Sequence, residues 1–125
     1  MTHATRQEID ALRARAEAGV AEAQLDLGFM YANGRGVPQD YEKAERWYRL
    51  AAEQGHTTAQ NGLGFMYENG AGVPQDYVEA HKWYNLAAAR GNDLANKVRD
   101  LLAEKMTPAQ IAKAQRLAGE WRPKK

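Results

Sequence analysis

VAEAQLDLGFMYANGRGVPQDYEKAERWYRLAAEQG, residues 20–55, is followed directly by HTTAQNGLGFMYENGAGVPQDYVEAHKWYNLAAARG, residues 56–91. The two stretches are identical at 22 of 36 positions, which include LGFMY, GVPQDY and LAA. A period of this length is typical of helical solenoids, in which one repeat cannot bury its apolar face alone and its neighbours complete the core. The sequence therefore predicts an array of stacked repeats.

Each repeat reads as two helices joined by a turn. The first helix is predicted from about Glu22 to Asn33 and the second from about Tyr41 to Gln54, because apolar residues recur in each at helical spacing. The stripe of the second helix comprises Ala44, Trp47, Tyr48, Ala51 and Ala52, and that of the first comprises Ala23, Leu27, Met30 and Tyr31. Gly28, within the first helix, predicts close approach of a neighbouring helix backbone.

The turn between the helices carries signals for both helix ends. Gly34 suits a left-handed C-terminal residue, and Asp40 is a predicted N-cap. In the second repeat Gly70 and Asp76 take these roles, and Glu79 is placed to complete a capping box. These signals predict short, ordered turns within each repeat.

The same register continues on both sides, since Gly19, Gly55 and Gly91 are also 36 residues apart. We therefore divide a single domain, residues 1–125, into five parts. They are an N-terminal capping half-repeat (6–19), repeat 1 (20–55), repeat 2 (56–91), a partial repeat 3 (92–105) and a C-terminal capping helix (106–121). Thr107 is the predicted N-cap of the last helix, with Gln110 completing its capping box, and we expect it to cover the open end of the stack. The residues after it are expected to be mobile.

The repeat resembles the Sel1-like repeat, a tetratricopeptide-like family. The matching residues of the first copy are Ala23, Leu27, Gly28, Tyr31, Gly34, Gly36, Val37, Asp40, Ala44, Trp47, Tyr48, Ala51, Ala52 and Gly55, and a second copy runs from 59 to 91. With the partial units the resemblance covers roughly residues 8–105. It implies an all-α, right-handed α-solenoid of antiparallel helix pairs, here with about seven helices, and an adaptor role that is often bacterial. The cysteine pairs of some secreted members are absent from this chain.

Composition argues against several classes of function. Lys and Arg number 17 and Asp and Glu 16, so a net charge of +1 offers no field to attract nucleic acid or anionic lipid. Without cysteine or serine the chain has no disulfide, no thiolate ligand and no serine or cysteine nucleophile. The first residues lack the apolar core of a secretory signal, and no apolar run is long enough to span a membrane. We expect a cytoplasmic protein.

The remaining chemical signals have structural explanations. The three histidines, His3, His56 and His81, lack the spacing of a metal motif and are predicted to be surface residues. The segments GRGVP and GAGVP follow no strand and precede no lysine and hydroxyl pair, so they suit a turn better than a phosphate loop. The tryptophans and tyrosines lie on the apolar stripes, which favours packing over base stacking. The sequence predicts no enzyme, no cofactor and no metal.

A candidate binding face follows from the helical wheel of the first helix. If Leu27 points at its partner helix, the opposite side is exposed, and the resemblance places that side on the concave surface. The residues predicted to bind a partner there are Leu25, Asp26, Phe29, Ala32, Asn33, Asn61, Phe65, Glu68, Asn69, Lys97, Leu101 and Glu104. Phe29 and Phe65 would be aromatic anchors for a peptide or helix. The alternative is that superhelical curvature buries both rings between adjacent repeats.

These features together predict a protein–protein interaction module, an adaptor or scaffold that binds a peptide or protein partner on its concave face. We expect a monomer. The alternative is a structural repeat protein that assembles with itself, so that a homo-oligomer is the functional form.

Overall fold

The computed structural model describes residues 5–124, and over this range the chain forms seven α-helices and no strand. They are α1 (Arg6–Glu17), α2 (Ala21–Asn33), α3 (Tyr41–Glu53), α4 (Thr57–Asn69), α5 (Tyr77–Ala89), α6 (Asp93–Ala103) and α7 (Pro108–Glu120). From α1 to α6, each helix packs against the next one along the chain. The all-α solenoid of helix pairs is confirmed.

The predicted helix ends are confirmed in both complete repeats. The Asp40 carboxylate accepts a hydrogen bond of 3.1 Å from the backbone N–H of Lys43, and Asp76 accepts one of the same length from Glu79. Gly34 and Gly70 end α2 and α4 at φ values of 66° and 67°, a conformation that costs glycine little. Equal local sequence therefore produces equal turns.

The capping boxes agree with the prediction at one helix and differ at another. Thr107 and Gln110 form the predicted reciprocal box at the start of α7. At Asp76 the reciprocal half is missing, because the Glu79 carboxylate pairs with Lys82 Nζ at 2.9 Å. An ion pair one helical turn away has replaced the hydrogen bond to the cap.

Gly28 and Gly64 make room for an aromatic ring. A Cβ atom on Gly28 would lie 2.9 Å from Cδ1 of Tyr48, and one on Gly64 would lie 2.6 Å from Cδ1 of Tyr84. The nearest atoms belong to a side chain of the second helix, and at Gly64 the predicted backbone contact is also present, since the added Cβ would lie 3.2 Å from the Ala80 carbonyl oxygen. This contact holds the two helices of each pair together.

The core crosses the boundary between the two repeats. Ala44, Tyr48, Ala51 and Ala52 of the first repeat are buried in one cluster with Leu63 and Trp83 of the second. Neighbouring units therefore complete each other's core, as the repeat pattern predicted.

Two histidines are less exposed than predicted. His81 is only 3% exposed because α6 packs against its helix, and burial lowers the pKa of its imidazole. His56 is partly buried as the N-cap of α4, where its Nδ1 accepts from the Ala59 N–H and its Nε2 lies 2.8 Å from a Glu22 carboxylate oxygen. The prediction that His81 is a surface residue was wrong. His3 lies outside the described residues.

The C-terminal helix α7 packs against α5. The indole of Trp121 meets that of Trp83 edge-to-face, with ring centroids 6.1 Å apart. Beyond the helix, the Lys124 backbone N–H donates to the Glu53 carbonyl at 2.7 Å, so this part of the tail is bound, in contrast to the prediction. The C-terminal segment therefore extends from α5 to the end of α3.

Candidate partner-binding groove

An exposed apolar row runs across three consecutive first helices. Phe29 in α2, Phe65 in α4 and Leu101 in α6 occupy the same position in successive units, and they are 44%, 59% and 63% exposed. The two phenylalanine rings are therefore not buried between repeats. Large apolar side chains in such a row are more typical of an interaction surface than of a solvated face.

A cavity of about 330 Å³ lies between α2 and α4 beside two of these side chains. We call it the α2–α4 groove, and it is lined by Phe29, Ala32, Asn33, Tyr41, Tyr48, Asn61, Gly62, Phe65, Met66 and Ala71. Five of these residues were predicted from the sequence: Phe29, Ala32, Asn33, Asn61 and Phe65. The groove has no charged residue in its lining.

Tyr48 lies at the bottom of the α2–α4 groove. Its ring meets that of Phe29 edge-to-face, with centroids 5.7 Å apart and planes at 87°, and the residue is only 5% exposed. Burial raises the pKa of its phenol to about 12, so the ring stays neutral at physiological pH. An uncharged aromatic ring at the bottom of the groove favours an apolar or aromatic occupant.

The polar groups near the groove have different roles. Asn61 Oδ1 is buried and has no hydrogen-bond partner in the described part of the chain. Asn33 and Asn69 use their side-chain amides to donate to the carbonyls of Phe29 and Phe65, at 2.8 and 2.9 Å. These two asparagines, which were predicted as part of the binding face, thus also stabilise the last turns that carry the aromatic rings.

The structure contradicts the prediction for Leu25. This side chain is 4% exposed and belongs to the core cluster that includes Leu63 of the next repeat. The helical-wheel prediction took into account only the partner helix within the pair. It did not include the helix of the following unit, which covers the other side. Leu25 is therefore a core residue.

The other predicted residues lie outside the groove. Asp26 is exposed near Glu22, and its pKa is raised, first by partial burial and then by that neighbouring carboxylate. Glu68 accepts a hydrogen bond of 2.7 Å from the Tyr84 hydroxyl, which occupies its carboxylate. Lys97, Leu101 and Glu104 are exposed on α6, where they extend the same face by one unit without lining the cavity.

Sequence reasoning missed five lining residues: Tyr41, Tyr48, Gly62, Met66 and Ala71. Two of them are brought to the groove by the turn after α4. Gly72 has a φ of 75°, and a Cβ there would lie 2.3 Å from the Tyr41 carbonyl oxygen. A glycine at both position 36 and position 72 predicts an unusual backbone conformation in the turn. It does not predict which residue the turn contacts.

Other kinds of site find little support in residues 5–124. No three His, Asp or Glu side chains are grouped so that they could hold a metal ion. No helix in this range is both long and apolar enough to cross a membrane.

Stacked helix pairs with an exposed apolar row define a helical repeat protein. The Sel1 repeat model matches residues 21–56 and 57–92, more than half of the chain, and this protein belongs to the Sel1 repeat family. Sel1 repeat proteins generally bind protein partners, and their fold is typically non-catalytic. No curated protein shows significant sequence similarity to this chain.

Two crystal structures are similar to this chain. One is a protective antigen of uropathogenic Escherichia coli strains that displays an SLR fold, with 35% identity and a TM-score of 0.88. The match covers 91% of this chain and 25% of the antigen, so the chain spans about a quarter of that protein's length. The other is a Sel1 repeat protein from Oxalobacter formigenes, with 47% identity, a TM-score of 0.73, and coverage of 74% of this chain and 70% of that one.

Proposed function

We propose that this chain is an adaptor that binds a peptide or a segment of a partner protein, without catalysing a reaction, and that the α2–α4 groove receives the partner's apolar anchors. The observation that carries the proposal is the pairing of two exposed phenylalanines with a preformed cavity. Anchors that insert into such cavities supply most of the binding energy in protein interfaces. A monomeric adaptor is the form that we propose.

The chemistry of the groove describes the segment that it suits. Its lining is aromatic and aliphatic apart from two asparagines, so the central side chain of the ligand should be apolar. The exposed Leu101 offers a further apolar contact one unit along the array.

The test is a selection of random displayed peptides on the immobilised protein, followed by binding measurements on the enriched sequences. The Phe29→Glu, Phe65→Glu double variant should reduce affinity at least about tenfold, because each change places a charge in an apolar contact. Leu94→Glu is the matched control, since Leu94 is 58% exposed on α6 and lies outside the groove. Circular dichroism verifies that both variants are folded.

Equal binding by the wild-type protein and the double variant would contradict the groove as the site. Self-assembly, the alternative function, has its own measurement in light scattering after size exclusion. A dimer that persists on dilution and is lost in the double variant would favour the structural role over the adaptor.

A further inference from the structure

The two complete repeats differ in how the outer side of their second helices is covered. Trp83 in α5 is 2% exposed, because Trp121, the residue that follows α7, packs on its ring. Its counterpart 36 residues earlier, Trp47 in α3, is partly exposed, and Leu50 beside it is 46% exposed. Leu86, the counterpart of Leu50, packs against the core that also receives Trp121. Within residues 5–124, the chain thus covers one copy of this surface and leaves the other open.

The open copy contains space for a ligand. Trp47 and Leu50 border two cavities of about 320 and 660 Å³. We call the two together the α1–α3 groove. The smaller cavity is completed by Arg13, Tyr31, Lys43 and Arg46. The larger one extends along the end of α1 toward Lys124, and it is also lined by Glu17 and by Glu53, which pairs with Lys124. None of these residues lines the α2–α4 groove, so the two surfaces are distinct.

The open copy also lacks the carboxylates of the covered copy. At the covered surface, which lies between α3 and α5, Arg49 of α3 pairs with Glu45, and Lys82 of α5 pairs with Glu79 at 2.9 Å. The residues 36 positions before those two acids are Ile9 of α1 and Lys43 of α3.

Three cations surround the smaller cavity of the open surface. Over residues 5–124, Arg13, Lys43 and Arg46 form no ion pair. The smaller cavity is an aromatic pocket with a positive rim.

The covered copy shows what the open copy is missing, namely an aromatic ring on the tryptophan and carboxylates for the cations. A second copy of this chain would supply only the ring, since residues 108–124 carry four cations and one carboxylate. Like charges would oppose that pairing. We propose that the α1–α3 groove binds an acidic segment of a partner protein, with an aromatic side chain of that segment packed on Trp47. The proposal is independent of the function assigned to the α2–α4 groove.

The test uses two displayed peptide libraries with a fixed central tryptophan. The flanking positions are Asp, Glu, Ala and Leu in one library and Lys, Arg, Ala and Leu in the other. We expect the acidic library alone to be enriched on the wild-type protein, because its charge complements the rim. The variant Lys43→Glu introduces the residue that the second repeat has at position 79, where it pairs with a lysine three residues later. It should therefore fold, neutralise Arg46 and weaken binding of the enriched peptides roughly fivefold or more.

The control variant is Lys113→Glu, which makes the same change of charge at an exposed position of α7 outside the groove. It should bind the enriched peptides as the wild type does. Replacing the central tryptophan of an enriched peptide by alanine should also abolish binding. The proposal is overturned if neither library is enriched, if the basic library is the one enriched, or if the selected peptides bind Lys43→Glu and the wild type equally well.

Discussion

The position of α7 over α5 can be tested by removing a single ring. Trp121→Ala deletes the indole that lies edge-to-face on Trp83 at 6.1 Å. Truncation of a fully buried aromatic residue costs roughly 3–5 kcal/mol. Trp121 is itself partly exposed, so we expect a loss of about 2–3 kcal/mol in the free energy of unfolding.

Urea unfolding measures this loss. With a urea m-value of roughly 1.5 kcal/mol/M, the midpoint should fall by about 1.3–2 M. Fluorescence of the remaining tryptophans should shift to longer wavelength in the folded variant, because Trp83 gains contact with water. Leu94→Ala is the control, since that leucine is 58% exposed and its truncation should change stability by less than about 0.5 kcal/mol. A loss below about 0.5 kcal/mol for Trp121→Ala, with unchanged emission, would refute the packing of α7 on α5.

Three further predictions concern single residues. Gly64→Ala should destabilise the protein by about 1–3 kcal/mol in thermal unfolding, because its Cβ would lie 2.6 Å from the Tyr84 ring. Gly119→Ala, with nothing within 4 Å of the added atom, should gain about 0.5–1 kcal/mol, and a loss at both positions would contradict this difference. Burial lowers the pKa of His81, so its contribution to stability is complete above the unfolded pKa of about 6.5 and is lost as pH falls through the folded value. His81→Leu should accordingly lose less stability than the wild type between neutral and acidic pH, and parallel pH profiles would count against the buried imidazole. Asp40→Ala should lower the free energy of unfolding in urea by about 1 kcal/mol through loss of the α3 cap, and no change would show that the cap is dispensable.

The elements of the fold could be predicted from the sequence because their signals are local. Asp40 caps the helix that follows it, and Gly34 takes a positive φ where α2 ends, and both depend on residues within one turn. The 36-residue spacing then places like elements side by side. The exposed Phe29 and Phe65 could be found in the same way, since both point away from the apolar stripe of their own helix.

The wrong predictions of exposure concern residues that pack against a helix from outside their own pair. Leu25 packs with residues of the next repeat, and His81 is covered by α6. A helical wheel of one helix therefore does not predict that either side chain is buried. Tyr41 and Tyr48 line the α2–α4 groove through contacts between segments that local patterns do not reveal.

The sequence by itself determined the repeat, its helix pairs, its turns and its family, because period and capping are properties of neighbouring residues. Only the tertiary structure decided which of the two related repeats has its outer surface covered. Trp47 and Trp83 occupy equivalent positions, yet Trp121 packs on Trp83 alone. The physical reason is that the path of the chain after α6 brings Trp121 to the second repeat, so equivalent positions acquire unequal surroundings.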